Sequence, residues 1–100
     1  MKIWLDDVRP APEGYYWADT VNKVKNCIVW HEKLGESIEL LDLDHDLGYD
    51  RRADGGDGIK LLDWLEATGR NYPIRIHSAN VVGVQNMRRI IERNGWKEIR

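Results

Sequence analysis

Three short apolar runs, residues 2–6, 37–44 and 74–78, each end in side chains that carry charge or a proton, and segments of helical periodicity separate them. Short apolar runs bounded by turn formers read as strands, and strands alternating with helices imply βαβ units around a mostly parallel sheet. A chain of 100 residues, 42% of them apolar, is long enough for one such domain and too short for two. The domain is therefore expected to span residues 1–100.

The first run, KIWLD, stops at Asp6 and Asp7, and Pro10 and Pro12 in the following turn-rich segment argue against an immediate helix. Residues 15–20, YYWADT, suit an edge strand or a covering segment. From Thr20 to about residue 34, Val21, Val24, Cys27, Ile28 and His31 recur at helical spacing, and Gly35 is a natural stop. The run SIELLDLDHDLG is too densely apolar to alternate cleanly, which predicts a central strand buried on both faces. A polar loop over residues 48–58 precedes a second helix marked by Ile59, Leu61, Leu62, Trp64 and Leu65, with Asp57 as its N-cap and Gly69 at its end. Tyr72 and Pro73 lead into the strand IRIHS. Asn80 then caps a third helix whose Val84, Met87, Ile90 and Ile91 face inward until Gly95, and residues 96–100 add a last short strand. The expected fold is α/β, with right-handed crossovers placing helices on both faces of a sheet of four or five strands.

The net charge of −2 hides an uneven distribution, with acids crowding residues 36–69 and bases dominating residues 70–100. Duplex DNA binding is not expected, since it needs many cationic contacts to phosphates, and Arg88, Arg89 and Arg93 on the last helix read first as a solvated face. The single cysteine, Cys27, falls on the helical stripe and reads as a small core residue in a reducing, cytoplasmic protein. No apolar run approaches the ~18 residues of a membrane span, and the first residues lack a signal peptide's apolar stretch, so a soluble, unexported chain is expected.

In an open α/β sheet, ligands bind beyond the carboxyl ends of the strands. Those ends carry Asp6 and Asp7, then Asp44, His45 and Asp46, then His77 and Ser78, whereas Lys2, Ser37 and Pro73 at the opposite ends offer nothing comparable. Paired acids beside a third suit a hard cation such as Mg²⁺, although aspartates after a strand also close turns. His45 and His77 suit proton transfer near neutral pH, or alternatively the orientation of neighbouring carboxylates; His31, on the apolar stripe, reads as structural. Ser78 and Asn80 precede a helix whose free amides favour an anion such as phosphate, Gly83 leaves room for close approach, and Asn80 also serves as an ordinary cap. There is no P-loop, dinucleotide fingerprint or zinc-type spacing. DHDLGYDRRADG is not a calcium loop, because Tyr49 stands where the sharp turn requires glycine.

The segments DDVRP, LDHDLG, GGDGIKLLDWL and HSANVVGVQNM, in this order and over nearly the whole chain, resemble the cyclic-phosphate-processing receiver-like domains, a divergent branch of the response-regulator receivers. The resemblance implies a small, three-layer, flavodoxin-like fold with Asp6 and Asp7 after the first strand, Asp44 on the third and Ser78 on the fourth. In receivers such residues hold Mg²⁺ and accept a phosphoryl group on the third-strand aspartate, aided by a lysine at the end of a fifth strand. Lys97 is the only late lysine and nothing marks it as that residue, and a proline-containing loop replaces the helix receivers place after the first strand. The family implies handling of a cyclic phosphate, such as the 2′,3′-cyclic end of a nucleotide or RNA. The leading expectation is a phosphoesterase in which His45 and His77 exchange acid and base roles, Ser78, Asn80 and Arg9 hold the phosphate, and Mg²⁺ rests on Asp6, Asp7 and Asp44. The alternatives are a switch in which Asp44 is phosphorylated and the 48–58 loop responds, and a module that binds a phosphorylated ligand without turnover.

Overall fold

In the computed structural model, which describes residues 1–48 and 54–100, the apolar runs become short parallel strands. They are β1 (Lys2–Leu5), β2 (Tyr15–Ala18), β3 (Leu40–Leu43), β4 (Ile74–Ile76) and β5 (Glu98–Ile99), hydrogen-bonded in the order β2-β1-β3-β4-β5. Helices α1 (Val21–Lys33), α2 (Gly58–Ala67) and α3 (Val81–Asn94) connect β2 to β3, β3 to β4 and β4 to β5. The winding reverses between β1 and β3, the switch point where a flavodoxin-like sheet opens a crevice at its carboxyl edge.

The helix ends follow their local chemistry. The Thr20 hydroxyl accepts from the Lys23 amide at 3.1 Å, the Asn80 side chain accepts from the Gly83 amide at 2.9 Å, and Gly95 closes α3 with a left-handed φ of 66°. Asp57 occupies the N-cap position of α2 without capping it. Its carboxylate instead accepts from the Leu47 amide at 3.1 Å and ties the start of α2 to the chain leaving β3.

The helices do not divide between the two faces as expected. Ile3, Leu5, Leu41, Leu43 and Ile74 are fully buried in one cluster with Val21, Val24 and Ile28 of α1, Leu61, Leu62 and Leu65 of α2, and Met87 and Ile91 of α3. The crossovers from β2 through β5 all cross the sheet in one direction, and right-handed crossovers running one way land on one face. The single step the other way, from β1 to β2, contains no helix. The described chain is thus a two-layer version of the fold, and β3 is not apolar on both sides: Leu41 and Leu43 meet the helices while Asp42 faces away from them.

The helix-free face carries a cross-strand row of Trp17, Trp4, Asp42, Arg75 and Ile99, paired in register from β2 to β5. Cys27 is buried as expected, and burial pushes its thiol up. No described helix is long and apolar enough to cross a membrane.

Candidate functional site at the carboxyl edge of the sheet

Ladder hydrogen bonds carry the site residues one step beyond the strands. The Asp6 amide donates to the Ala18 carbonyl at 3.1 Å, the Asp44 amide to Leu5 at 2.9 Å and the His77 amide to Leu43 at 2.9 Å. Asp6, Asp44 and His77 are thereby held on adjacent strands at one edge, as the strand-end argument requires.

Asp6 is fully buried and bonded through both oxygens. Its Oδ1 accepts from the amides of Val8 and Arg9, each at 2.8 Å, which closes the turn after β1. Its Oδ2 lies 3.1 Å from His77 Nε2 and 3.1 Å from Arg9 Nε. Burial alone would raise this carboxyl, but the Arg9 and Val8 amides, His77 and the Arg9 guanidinium outweigh it, and the pKa falls below the usual aspartate value.

His77 is gripped on three sides. Its Nδ1 lies 2.6 Å from Asp42 Oδ1, its Nε2 faces Asp6, and its ring stacks on Trp4 with centroids 3.7 Å apart and planes 6° from parallel. Both carboxylates are satisfied together only when both ring nitrogens carry hydrogen. Trp4 is itself fixed by its indole N–H, which donates to the Arg9 carbonyl at 2.9 Å. Asp42, 1% exposed, keeps one oxygen buried without a hydrogen-bond partner, with the Arg75 guanidinium 4.0 Å away.

Asp44 Oδ1 accepts from the His45 amide at 2.8 Å, Arg9 Nη2 lies 3.8 Å from Oδ2, and the Ser78 side chain is near enough to lower the carboxyl's pKa. Burial raises the Asp44 pKa, the His45 amide opposes it, and the nearby Asp6 charge adds to the rise. The Ser78 hydroxyl also accepts from the Asn80 amide at 3.1 Å.

His45 turns the other way, onto the start of α3. A Cβ at Gly83 would come within 2.6 Å of the His45 ring, so glycine there is what lets the ring rest on the helix. His45 Nδ1 lies 2.8 Å from Asp46 Oδ1, and Asn80 Nδ2 donates to Asp46 at 3.1 and 3.3 Å. Among the described residues, His45 Nε2 has no partner. The two candidate histidines therefore have separate surroundings, His77 on the helix-free face and His45 against α3. Asn80, proposed from sequence to hold phosphate, commits its side chain to capping α3 and orienting Asp46. Among the described residues, Arg9, with a side chain 56% exposed, is a cation that lies beside both Asp6 and Asp44.

Carboxylate oxygens of Asp6, Asp7 and Asp44 lie within 4.8 Å of one another, an all-oxygen set of the kind that suits a hard divalent cation. Asp6 is already saturated by protein donors, so open lone pairs come from Asp7, which has no protein partner among the described residues, and from Asp44. A Cβ at Gly48 would approach Asp7 Oδ2 to 3.0 Å, so the glycine keeps the acid's surroundings open. The donor set fits a cation carried by Asp7 and Asp44 with Asp6 behind them.

A parallel sheet in this order, with acids after β1 and β3 and a hydroxyl after β4, defines a receiver-type domain. The chain matches the cyclic-phosphate processing receiver domain family over residues 1–93 and belongs to it. No curated protein matched the chain in sequence.

Two contributors escaped the sequence reading. Asp42 carried a usable signal, since an acid inside a strand predicted to be buried must have a partner. Trp4 carried only a weak one, the polar handle of a buried indole.

Proposed function

We propose that this domain hydrolyses a 2′,3′-cyclic phosphate, with His45 as the base and His77 as the acid. The observation that carries the reading is the relay Asn80–Asp46–His45. A carboxylate on Nδ1 fixes the tautomer with hydrogen there and leaves Nε2 as the base, on a ring that rests against Gly83 of α3.

His45 Nε2 takes a proton from water, the water oxygen bonds to phosphorus, and one ribose oxygen leaves. The hydrogen on His77 Nε2, shared with Asp6, goes to that oxygen. Arg9, Ser78 and the α3 amides hold the phosphate oxygens. A divalent cation on Asp7 and Asp44 would offset phosphate charge when bound. His77, clamped by two carboxylates, works at a fixed position, while His45 has a partner among the described residues on one nitrogen only. This division of labour replaces a symmetric exchange between two facing rings.

The test is turnover of nucleoside 2′,3′-cyclic phosphates, followed by chromatography of the monophosphate product. His45→Gln is expected to lower kcat by about 10²–10⁴-fold. No product from the wild-type protein, or full activity in His45→Gln, would overturn the reading. The phosphorylated-switch alternative lacks comparable support. Lys97 precedes β5, with its carbonyl bonded to the Ile74 amide, and so sits away from the carboxyl edge. The 48–58 loop invoked for that switch lies partly outside the described residues.

A further inference from the structure

Trp17 has a combination of features that packing does not explain. It lies on the edge strand β2 and is 47% exposed, yet its indole Nε1 donates to the Asp6 carbonyl at 2.7 Å. A large aromatic ring left half in water gains little from burial, and here its polar edge is pinned to the backbone of the first acid in the pocket. The remaining ring surface is presented to solvent in a fixed orientation.

That ring lines a groove of about 270 Å³ together with Asp7, Asp19 and Lys23. Asp7 also belongs to the carboxylate cluster with Asp6 and Asp44, so the groove runs into the pocket assigned to the phosphate. Its far wall carries the Lys23 ammonium, 2.7 Å from Asp19, which offers donors and acceptors to the rim of a planar ligand. The other exposed aromatics among the described residues, Tyr16 and Trp30, line a neighbouring groove that shares Lys23 but includes no member of the acid pocket.

The geometry points to Trp17 as a nucleobase platform. Resting on the proposed cyclic-phosphate hydrolysis, this assigns the substrate class as nucleoside 2′,3′-cyclic phosphates, free or at the 3′ end of RNA, rather than base-free cyclic phosphates. Base and cyclic phosphate are carried on one ribose, and the groove and the pocket share Asp7. Stacking on an aromatic side chain tolerates any base, so the platform selects for a base without selecting which.

The experiment measures dissociation constants by calorimetry in the His45→Gln background, so that ligand is not consumed. The probes are adenosine 2′,3′-cyclic phosphate, a trinucleotide RNA ending in a 2′,3′-cyclic phosphate, and methyl riboside 2′,3′-cyclic phosphate, which has no base. Adding Trp17→Ala or Trp17→Leu is expected to weaken the two base-bearing probes by about 5- to 150-fold, the range of one aromatic stack, and to leave the base-free probe unchanged. Trp17→Phe, which keeps a ring but loses the bond to Asp6, is expected to retain most of the affinity. The leucine variant keeps apolar bulk in the strand and serves if the alanine variant fails to fold. Tighter binding of the trinucleotide than of the mononucleotide identifies RNA ends as the source, and equal binding identifies the free nucleotide. Equal weakening of all three probes, or of none, overturns the platform alone. Failure of every probe to bind the parent protein overturns the proposed function with it.

Discussion

At the scale of single residues, the site consists of charges held against one another. His77 sits between Asp6 and Asp42, and removing it leaves two buried carboxylates without their shared partner. His77→Ala is therefore expected to cost about 3–5 kcal/mol in urea unfolding, besides any loss of turnover, because breaking a buried pair strands the remaining charge. Asp6 gives a pH signature. Its folded pKa is depressed, so its contribution to stability is complete above the ordinary aspartate range and is lost as pH falls through the folded value. Asp6→Asn should destabilise the protein at neutral pH, and the gap to wild type should narrow in acid melts. Away from the site, burial and then the hydrogen bond to Glu32 push Tyr72 up to about 12. The native protein should show one phenol titrating near that value by ultraviolet absorbance. The unfolded chain ionises the same phenol near 10, so this contribution to stability is lost as pH rises from about 10 toward 12.

At the scale of elements, the start of α3 performs two tasks with one cap. Asn80 accepts from Gly83 and donates to Asp46, so Asn80→Ala should cost about 1 kcal/mol of stability and should also release the carboxylate that orients His45. Gly83 separates these effects. Alanine there raises helix propensity by about 1 kcal/mol but drives a methyl into the His45 ring. Gly83→Ala is expected to keep its circular dichroism spectrum while losing most activity; retained activity would show that the ring's seat on α3 is irrelevant. Gly58 is tighter still. A Cβ there would fall 2.0 Å from the Asp44 carbonyl, and the Gly58 amide donates to His45 at 2.7 Å, so α2 begins in contact with the chain that leaves β3.

At the scale of the whole molecule, one apolar core beneath three helices supports a sheet whose other face carries the site's supporting row. Leu43 is fully buried one residue before Asp44, and Leu43→Ala is expected to cost about 2–5 kcal/mol by urea denaturation. The missing helix between β1 and β2 has a structural consequence. It leaves Trp17, Trp4, Asp42 and Arg75 on a face without a helix layer, so aromatic and charged groups occupy positions where a three-layer fold would place apolar ones. The domain thus keeps a receiver-type strand order with acids after β1 and β3, and sets histidines and tryptophans beside them.

The strands, their order of appearance, the start of α1 at Thr20, the helix cap at Asn80, the stop at Gly95 and the strand-end position of Asp6, Asp44 and His77 were legible in the sequence, because each depends on periodicity or on chemistry within a few residues. Helix layering was not, since it depends on which way each crossover steps across the sheet. Nor was the bonding of His77, whose partners Asp42 and Asp6 are 35 and 71 residues away and meet it only through the register of β1, β3 and β4. The same register set Trp4 against His77, and the hydrogen bond from Trp17 to Asp6 turned an edge-strand aromatic toward the pocket. Local sequence determined what stands at the carboxyl edge, and tertiary pairing decided which of those groups touch.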